Sequence, residues 1–468
     1  MRLVTNSILL ICFTALFAQS TANSSFPVQL SIIQEKQFLP YEISTYTQHV
    51  NIEIKTGNHP GTQSKLPREL YIVLDSSGSM ASADKWNNAI SAIEHIIKSM
   101  NTNDKLHMIH YNSISSVVFE NADNQQTMLN ILHNLHPGGG TNLQAGFDQL
   151  MPLLKKYADR STVKRVFILS DGQINEGVTD HNLLLKEITT IKNTYGVTIC
   201  SFGIGYDFDE KLMTNIADYG SGDYFFIKGA ESMERVVGIA YHGFQNLMGI
   251  DAYVKVISKY DTKITDVYGY EMTDKEEQII PIGNLRYNDM MNILLETQVK
   301  ITDELLTKSE IDYIIVELWM VDATDRLLKL VSTEKLHLSF SRDEKEFNKL
   351  NEIIQYLIEL QKIQRQQEEI TRLLRERRVD DAHQLLQSLL ITMNTLEDKI
   401  ALDTQTMHDD DERVSLMFVQ SVVSAIKRRI MDVETSMTSE SENIGDLAML
   451  SGYTTKLSQK YTKSHLDL

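Results

Sequence analysis

The 468-residue sequence predicts an α/β domain with a doubly wound parallel sheet, inserted in a β-sandwich and followed by a helical hairpin or bundle. Three features of the apolar pattern support this prediction. Strand-like and helical segments alternate over residues 67–243, which is typical of a parallel sheet covered by helices on both faces. Alternating strands without helices lie on both sides of that stretch. A helical period then begins near residue 343.

The chain starts with the pattern of a secretory signal over residues 1–22. Arg2 is followed by an apolar run from Ile8 to Ala18 and then by small residues. That run is too short for a membrane span, and no later stretch offers about 20 uninterrupted apolar residues. We therefore predict a secreted, extracellular protein, periplasmic or at the cell surface in a bacterium, without a transmembrane segment in the mature chain. Asn23 begins a glycosylation sequon, which matters only in a eukaryotic secretory route.

Charge and cysteine usage limit the classes of partner. The net charge of −18 at pH 7 argues against nucleic acid or an anionic membrane as the main partner. Of the two cysteines, Cys12 lies in the signal and Cys200 lies in an apolar segment, where a buried, inert thiol is expected. A chain without disulfides depends on its hydrophobic cores, and this one is long enough for roughly two to four domains.

Short alternating strands flank the α/β segment on both sides. Residues 23–66 contain two of them, at 28–32 and 50–54. A lone hairpin is marginally stable in water, so these strands need partners. Six further strands lie within 244–340, and both flanks together would make one β-sandwich. This pattern predicts that the domain at 67–243 is inserted in the sandwich.

The α/β segment itself alternates between short apolar runs and helical patterns. The predicted strands are 70–74, 105–111, 116–119, 165–170, 197–204 and 223–227. The predicted helices lie near 85–100, 125–134, 143–157, 181–194 and 209–218.

Residues 341–435 form the predicted helical region. An apolar stripe runs from Phe347 to Ile363, and two more amphipathic helices are expected at about 381–401 and 411–435. The heptads are not sustained across the turns, which favours an intramolecular core over a coiled coil with a partner. Residues 436–468 are polar, and we predict a largely unstructured tail there.

Oxygen-bearing side chains collect after two of the predicted strands and after a glycine turn. They are Asp75, Ser77, Ser79, Thr141 and Asp171. Loops at the carboxyl ends of parallel strands meet at a topological switch point, and hard divalent cations prefer oxygen ligands. We therefore predict a Mg²⁺ site here, with Mn²⁺ or Ca²⁺ as alternatives. Helix N-capping by the two aspartates is the competing interpretation.

The pattern Asp-x-Ser-x-Ser at 75–79, followed by Thr141 and Asp171, resembles the metal-ion-dependent adhesion site of the von Willebrand factor type A family. The resemblance covers about residues 67–243 and implies the doubly wound fold. It also implies protein binding, in which an Asp or Glu carboxylate of the partner completes the coordination. Contact with the partner is expected around Gly139, Gly140 and Thr141.

The wider architecture is similar to a subgroup of that family in which a β segment and a helical region follow the type A domain. Bacterial secreted proteins and plant RING-type proteins share it, and the matching stretches are 282–285, 290–299, 379–386 and 449–451. The cysteine-rich RING module is absent from this sequence, so ubiquitin ligation is not implied.

These features predict a secreted, cation-dependent protein-binding protein for adhesion or assembly, and not an enzyme. Two alternatives stay open. A metal-dependent enzyme would use the cation as a Lewis acid and would need a general base beside it. A scaffold would use the cation only to stabilise the domain. Asp207 and Asp209 are candidates for a second cation, although capping of the following helix is the favoured interpretation.

Overall fold

The computed structural model of the chain forms two compact units. It describes residues 26–41, 44–58, 68–82, 84–158, 162–205, 208–227, 240–241, 247–270, 272, 274, 276–308, 311–323, 325, 327–407, 409–438 and 444–461. One unit combines Met1–His59 with Met248–Leu468, and the other is Pro60–Leu247. The predicted signal and Asn23 lie outside the described residues.

The described strands are numbered in chain order. They are β1 (Val28–Gln34), β2 (Phe38–Pro40), β3 (Thr45–Thr56), β4 (Arg68–Asp75), β5 (Lys105–Tyr111), β6 (Ser115–Ala122), β7 (Val163–Ser170), β8 (Thr198–Ile204), β9 (Ser221–Ile227), β10 (Leu247–Ser258), β11 (Lys263–Val267), β12 (Glu277–Arg286), β13 (Met290–Lys300), β14 (Ile311–Asp322) and β15 (Leu328–Ser341).

The described helices are numbered in the same way. They are α1 (Lys85–Ser99), α2 (Gln125–Leu132), α3 (Leu143–Lys156), α4 (His181–Tyr195), α5 (Glu210–Tyr219), α6 (Asp303–Leu306), α7 (Glu344–Phe347), α8 (Glu352–Arg375), α9 (Val379–Thr406), α10 (Asp410–Thr438) and α11 (Ile444–Tyr461). A 3-10 turn at Gly78–Ala81 follows β4.

The Pro60–Leu247 unit contains a six-stranded sheet with the order β6-β5-β4-β7-β8-β9. β4 pairs in parallel with β5 on one side and with β7 on the other, and both β4 and β7 are buried along their whole length. The chain builds one half of the sheet outward from β4 and the other half outward from β7, so the topological switch point lies between these two strands. Each predicted strand and helix of this segment is present. The sheet confirms the predicted doubly wound α/β fold.

One edge of this sheet differs from a purely parallel arrangement. β6 pairs with β5 in the antiparallel direction, with Tyr111 opposite Ser115. The chain between these strands is only Asn112–Ile114, a turn that can connect antiparallel neighbours, whereas a parallel pair needs a long crossover. This hairpin lies at the same end of the sheet as the carboxyl end of β4.

Two smaller sheets belong to the other unit. Their orders are β1-β3-β13-β11 and β12-β10-β14-β15-β2. β3 is an inner strand that pairs with β1 and also with β13, from Thr45 opposite Lys300 to Lys55 opposite Met290. One hydrophobic core contains side chains from both sheets, among them Ile52 of β3. The strands that precede the α/β unit in sequence therefore share a sheet and a core with strands that follow it.

The helical region confirms the prediction of several C-terminal helices, although its first helix begins later than expected. Asn351 caps the amino end of α8 by accepting a hydrogen bond from the backbone N–H of Ile354 at 3.2 Å. Phe347 therefore lies outside α8, and Leu350 is exposed rather than part of the apolar stripe. The predicted second and third helices correspond to α9 and α10.

The prediction of a largely unstructured tail at 436–468 is wrong over residues 436–438, which belong to α10, and over residues 444–461, which form α11. α11 packs on α8 through hydroxyl groups: Thr371 Oγ1 of α8 lies 2.8 Å from Ser451 Oγ and 3.2 Å from Thr455 Oγ1. Gln364 Nε2 of α8 also donates to the carbonyl of Ser458 at 3.3 Å. Polar side chains that satisfy one another can be buried at a helix interface. They leave no clear apolar stripe in the sequence, which is why this helix was not predicted.

Candidate metal centre

Asp75 is the last residue of β4, and its carboxylate is fully buried. Oδ1 accepts the backbone N–H of Ser77 at 2.8 Å. Oδ2 accepts the hydroxyl of Ser170 at 2.6 Å and that of Tyr111 at 3.4 Å. Burial raises the pKa of Asp75 to about 6, and the nearby carboxylate of Asp171 contributes to that rise against the opposing effect of the hydrogen bonds. A bound cation would favour the charged form of such a group.

The turn after β4 brings two predicted ligands together. The Oγ atoms of Ser77 and Ser79 lie 3.0 Å apart. Ser76, between Asp75 and Ser77 in sequence, makes different contacts, since its Oγ donates to the carbonyl of Tyr111 at 3.0 Å. The hydroxyl groups of two of the three alternate positions, Ser77 and Ser79, thus lie together, as a common cation would require.

The glycine turn before Thr141 is held against this same turn by two backbone hydrogen bonds. Gly78 N donates to the carbonyl of Gly139 at 2.9 Å, and Gly138 N donates to the carbonyl of Ser76 at 2.7 Å. Gly139 has φ +85°, in the left-handed region that favours glycine. Thr141, which follows, is buried. The glycines therefore bring Thr141 to the loop that carries Asp75.

Asp171 follows β7 directly and is also fully buried. Its Oδ2 accepts Lys85 Nζ at 3.1 Å, while its Oδ1 has no hydrogen-bond partner among the described residues. An unpaired buried carboxylate oxygen is costly in free energy. The bond between Ser170 and Asp75 links the ends of β7 and β4, so the two acidic residues border the switch point together. Asp171 Oδ1 is therefore an oxygen that could bind a hard cation.

Neither aspartate acts as a helix cap. Asp84 stands at the cap position of α1, and Asp180 caps α4. Asp209 does cap its helix, as favoured from the sequence, by accepting the backbone N–H of Leu212 at 2.9 Å; Asp207 lies outside the described residues. In the described ranges no three His, Cys, Asp or Glu side chains converge. Near the switch point, Asp75 and Asp171 lie close to the hydroxyl groups of Ser77 and Ser170.

The sequence of this segment matches a known family. Residues 70–173 match the family model of the von Willebrand factor type A domain. The chain contains a von Willebrand factor type A domain. Domains of this family generally mediate protein–protein interaction or adhesion.

Several proteins are similar to this chain. It is 25% identical over 171 residues to the uncharacterized protein YfbK of Escherichia coli, a match that covers 36% of this chain and 30% of that protein. It is 26% identical over 239 residues to a von Willebrand factor A domain-containing protein of Dictyostelium discoideum, covering 49% of this chain and 28% of the relative. The chain thus spans less than a third of these curated relatives.

A solved structure shows the same fold over most of the chain. The structure described as von Willebrand factor type A from Catenulispora acidiphila superimposes with a TM-score of 0.62. It covers 86% of this chain and 98% of its own, at 14% identity. At that identity the likeness concerns the fold alone, and the proposed subgroup stays a prediction.

Two residues of the type A domain that shape the centre were not predicted from the sequence. Asn175 Oδ1 accepts the backbone N–H of Thr141 at 2.9 Å and so fixes the predicted ligand loop. Lys85 is 1% exposed and forms the ion pair with Asp171. The one available signal for Lys85 was its position in the first turn of α1, shortly after the serine turn. A lysine there normally indicates a solvated helix end, so the signal was weak.

We expect the substitution K85M to lower the free energy of unfolding in EDTA by about 3 kcal/mol, because removing one partner leaves a buried carboxylate uncompensated. Saturating Mg²⁺ should recover much of this loss, since the dication would replace the ammonium beside Asp171. Urea unfolding with and without Mg²⁺ measures both effects. K98M removes an exposed lysine from the same helix and should change neither value. If K85M and K98M had the same free energy of unfolding in EDTA, the proposed role of Lys85 would be contradicted.

Proposed function

We propose that the type A domain binds one divalent cation, Mg²⁺ or in its place Mn²⁺ or Ca²⁺, and through it a protein partner. The ligands are the side chains of Asp75, Ser77, Ser79, Thr141 and Asp171. The observation that carries the proposal is the pair of buried carboxylates at the switch point, one of which has an oxygen, Asp171 Oδ1, without a hydrogen-bond partner among the described residues. Hydroxyl ligands beside two carboxylates suit a hard cation.

The charge of the centre indicates the chemistry of the partner. Asp75 and Asp171 carry two negative charges, and the buried ammonium of Lys85 cancels one of them. For these three buried side chains, a bound dication would turn the remaining negative charge into a single positive charge. Mg²⁺ takes about six oxygen ligands, so five side chains would leave room for another. An Asp or Glu carboxylate of a partner supplies both the oxygen and the opposite charge.

The proposed role is binding rather than catalysis, and its proposed location is outside the cytoplasm. The histidine beside the site, His110, contacts Ser76 and Ser116, whereas Ser77 and Ser79 contact each other.

None of the helices in the described part of the chain is long and apolar enough to cross a membrane. The localisation rests on the signal pattern of residues 1–22.

Affinity capture from the medium that surrounds the producing cells tests this function. With Mg²⁺ present, the wild-type chain should retain a partner that EDTA releases and that D75A does not retain. The reason is that the partner carboxylate would bind the cation rather than the protein surface. Retention of the same partner in EDTA would favour the scaffold alternative, in which the cation only stabilises the domain.

A further inference from the structure

A large apolar side chain projects into solvent from the hairpin between β5 and β6. It is Ile114, which is 74% exposed; we refer to it as the apolar tip. Two hydrogen bonds close the turn that carries it: Asn112 Oδ1 accepts the backbone N–H of Ile114 at 3.1 Å, and Asn112 N donates to the carbonyl of Ile114 at 2.8 Å. A single exposed apolar residue needs no explanation by itself. Ile114 is of interest because the turn that carries it lies beside the predicted metal centre.

The same hairpin binds the glycine turn on both sides of Thr141. Gly140 N donates to Ser113 Oγ at 2.8 Å, and Asn142 N donates to the carbonyl of Asn112 at 2.9 Å. The apolar tip therefore borders the predicted ligand loop. A side chain built at Gly138 would meet nothing within 4 Å among the described residues, so the glycine turn is open at that residue.

An exposed carboxylate borders the same loop. Glu176 N donates to the carbonyl of Thr141 at 3.2 Å. Its side chain is exposed and occupies the space beside Gly140, where Oε1 would lie 2.2 Å from a Cβ atom. A negative charge at this point attracts a basic group of a partner and repels an acidic one.

Around the loop that carries Thr141, the surface thus combines the proposed cation site, the exposed apolar side chain of Ile114 and the exposed carboxylate of Glu176. Resting on the proposed cation-dependent binding, we propose that the partner is an extended protein segment with an Asp or Glu flanked by a large apolar residue and by Lys or Arg. The acidic side chain binds the cation, the apolar side chain packs on Ile114, and the basic side chain pairs with Glu176. The apolar tip then selects the partner, because burying it is favourable only against another apolar group.

Selection from a displayed library of short random peptides tests this proposal. Immobilised full-length protein is incubated with the library in Mg²⁺, and bound peptides are eluted with EDTA. We expect the enriched peptides to combine an acidic, an apolar and a basic residue. I114S should select acidic peptides without the apolar preference and should bind the wild-type peptides roughly ten-fold more weakly. E176Q should lose only the preference for the basic residue.

The controls separate this inference from the proposed function. I391S removes a similarly exposed isoleucine, 68% exposed, from α9 and should select the same peptides as the wild type. D75A should enrich none, whereas I114S should bind Mg²⁺ like the wild type in calorimetric titration. Unchanged selection by I114S would overturn the role of the apolar tip and leave cation-dependent binding standing. A wild-type protein that binds Mg²⁺ but enriches no peptide would overturn the segment proposal alone.

Discussion

The substitution D75A should weaken Mg²⁺ binding by more than about 100-fold, because it removes one of the two proposed carboxylate ligands from a buried site where charge is poorly screened. Calorimetric titration of the wild type with Mg²⁺ or Mn²⁺ should show binding to one site, and D75A should give only heats of dilution. Added Mg²⁺ should raise the melting temperature of the wild type and leave that of D75A unchanged.

A matched control keeps this experiment specific. D123A removes the same charge from the same domain, but Asp123 is exposed and pairs with Lys105. It should titrate like the wild type. D75N, which keeps the shape of the buried side chain and removes its charge, guards against misfolding of the alanine variant. Equal Mg²⁺ affinity of D75N and the wild type would show that Asp75 is not a ligand.

Deleting residues 26–58 should unfold the sandwich and leave the Pro60–Leu247 unit folded. The deletion removes the inner strand β3, with the fully buried side chains of Val50, Ile52 and Ile54. Each of these is worth about 2 kcal/mol of burial, so their sum approaches the net stability of a domain. Circular dichroism and limited proteolysis should show loss of the sandwich strands, while residues 60–247 expressed alone should melt cooperatively.

Point variants of β3 test the same architecture more gently. I52A should lower the free energy of unfolding by about 3 kcal/mol, since it leaves a cavity in the core of the sandwich. Thr47 lies on the same strand at an exposed position, so T47A should change the free energy of unfolding very little. If the truncated chain melts like the full chain, the strands before the α/β unit do not contribute to the sandwich and this description of it is wrong.

Much of the fold could be predicted because its pattern is local. The apolar runs of β4 and β7 and the oxygen donors that follow them are visible at fixed positions in the sequence. The contact between the glycine turn and the serine turn is not local, because it depends on hydrogen bonds such as Gly138 N to the carbonyl of Ser76. The rule that loops at the carboxyl ends of parallel strands meet at the switch point predicted that the two turns lie close together, but not the hydrogen bonds that join them.

Other features are decided only by tertiary packing. The sequence shows Lys85 as a charged residue at a helix start, and only the folded chain pairs it in the interior with Asp171. The hydroxyl-bearing residue Ser451 of α11 is polar in sequence and buried in the fold, where Thr371 of α8 supplies the matching hydroxyl. In both cases the partner lies far along the chain, so periodicity carried no information about it.

The pairing of β3 with β13 also constrains the order in which the chain folds. Lys55 and Met290 lie opposite each other in one sheet although an entire α/β unit separates them in sequence. Closing an unfolded connection of that length costs entropy, whereas a segment that has already become compact brings its ends together at lower cost. The type A domain should therefore fold first, and the sandwich can close only after the chain beyond residue 290 is available. A mutation that slows folding of the Pro60–Leu247 unit would then delay folding of the sandwich, although the two have separate cores.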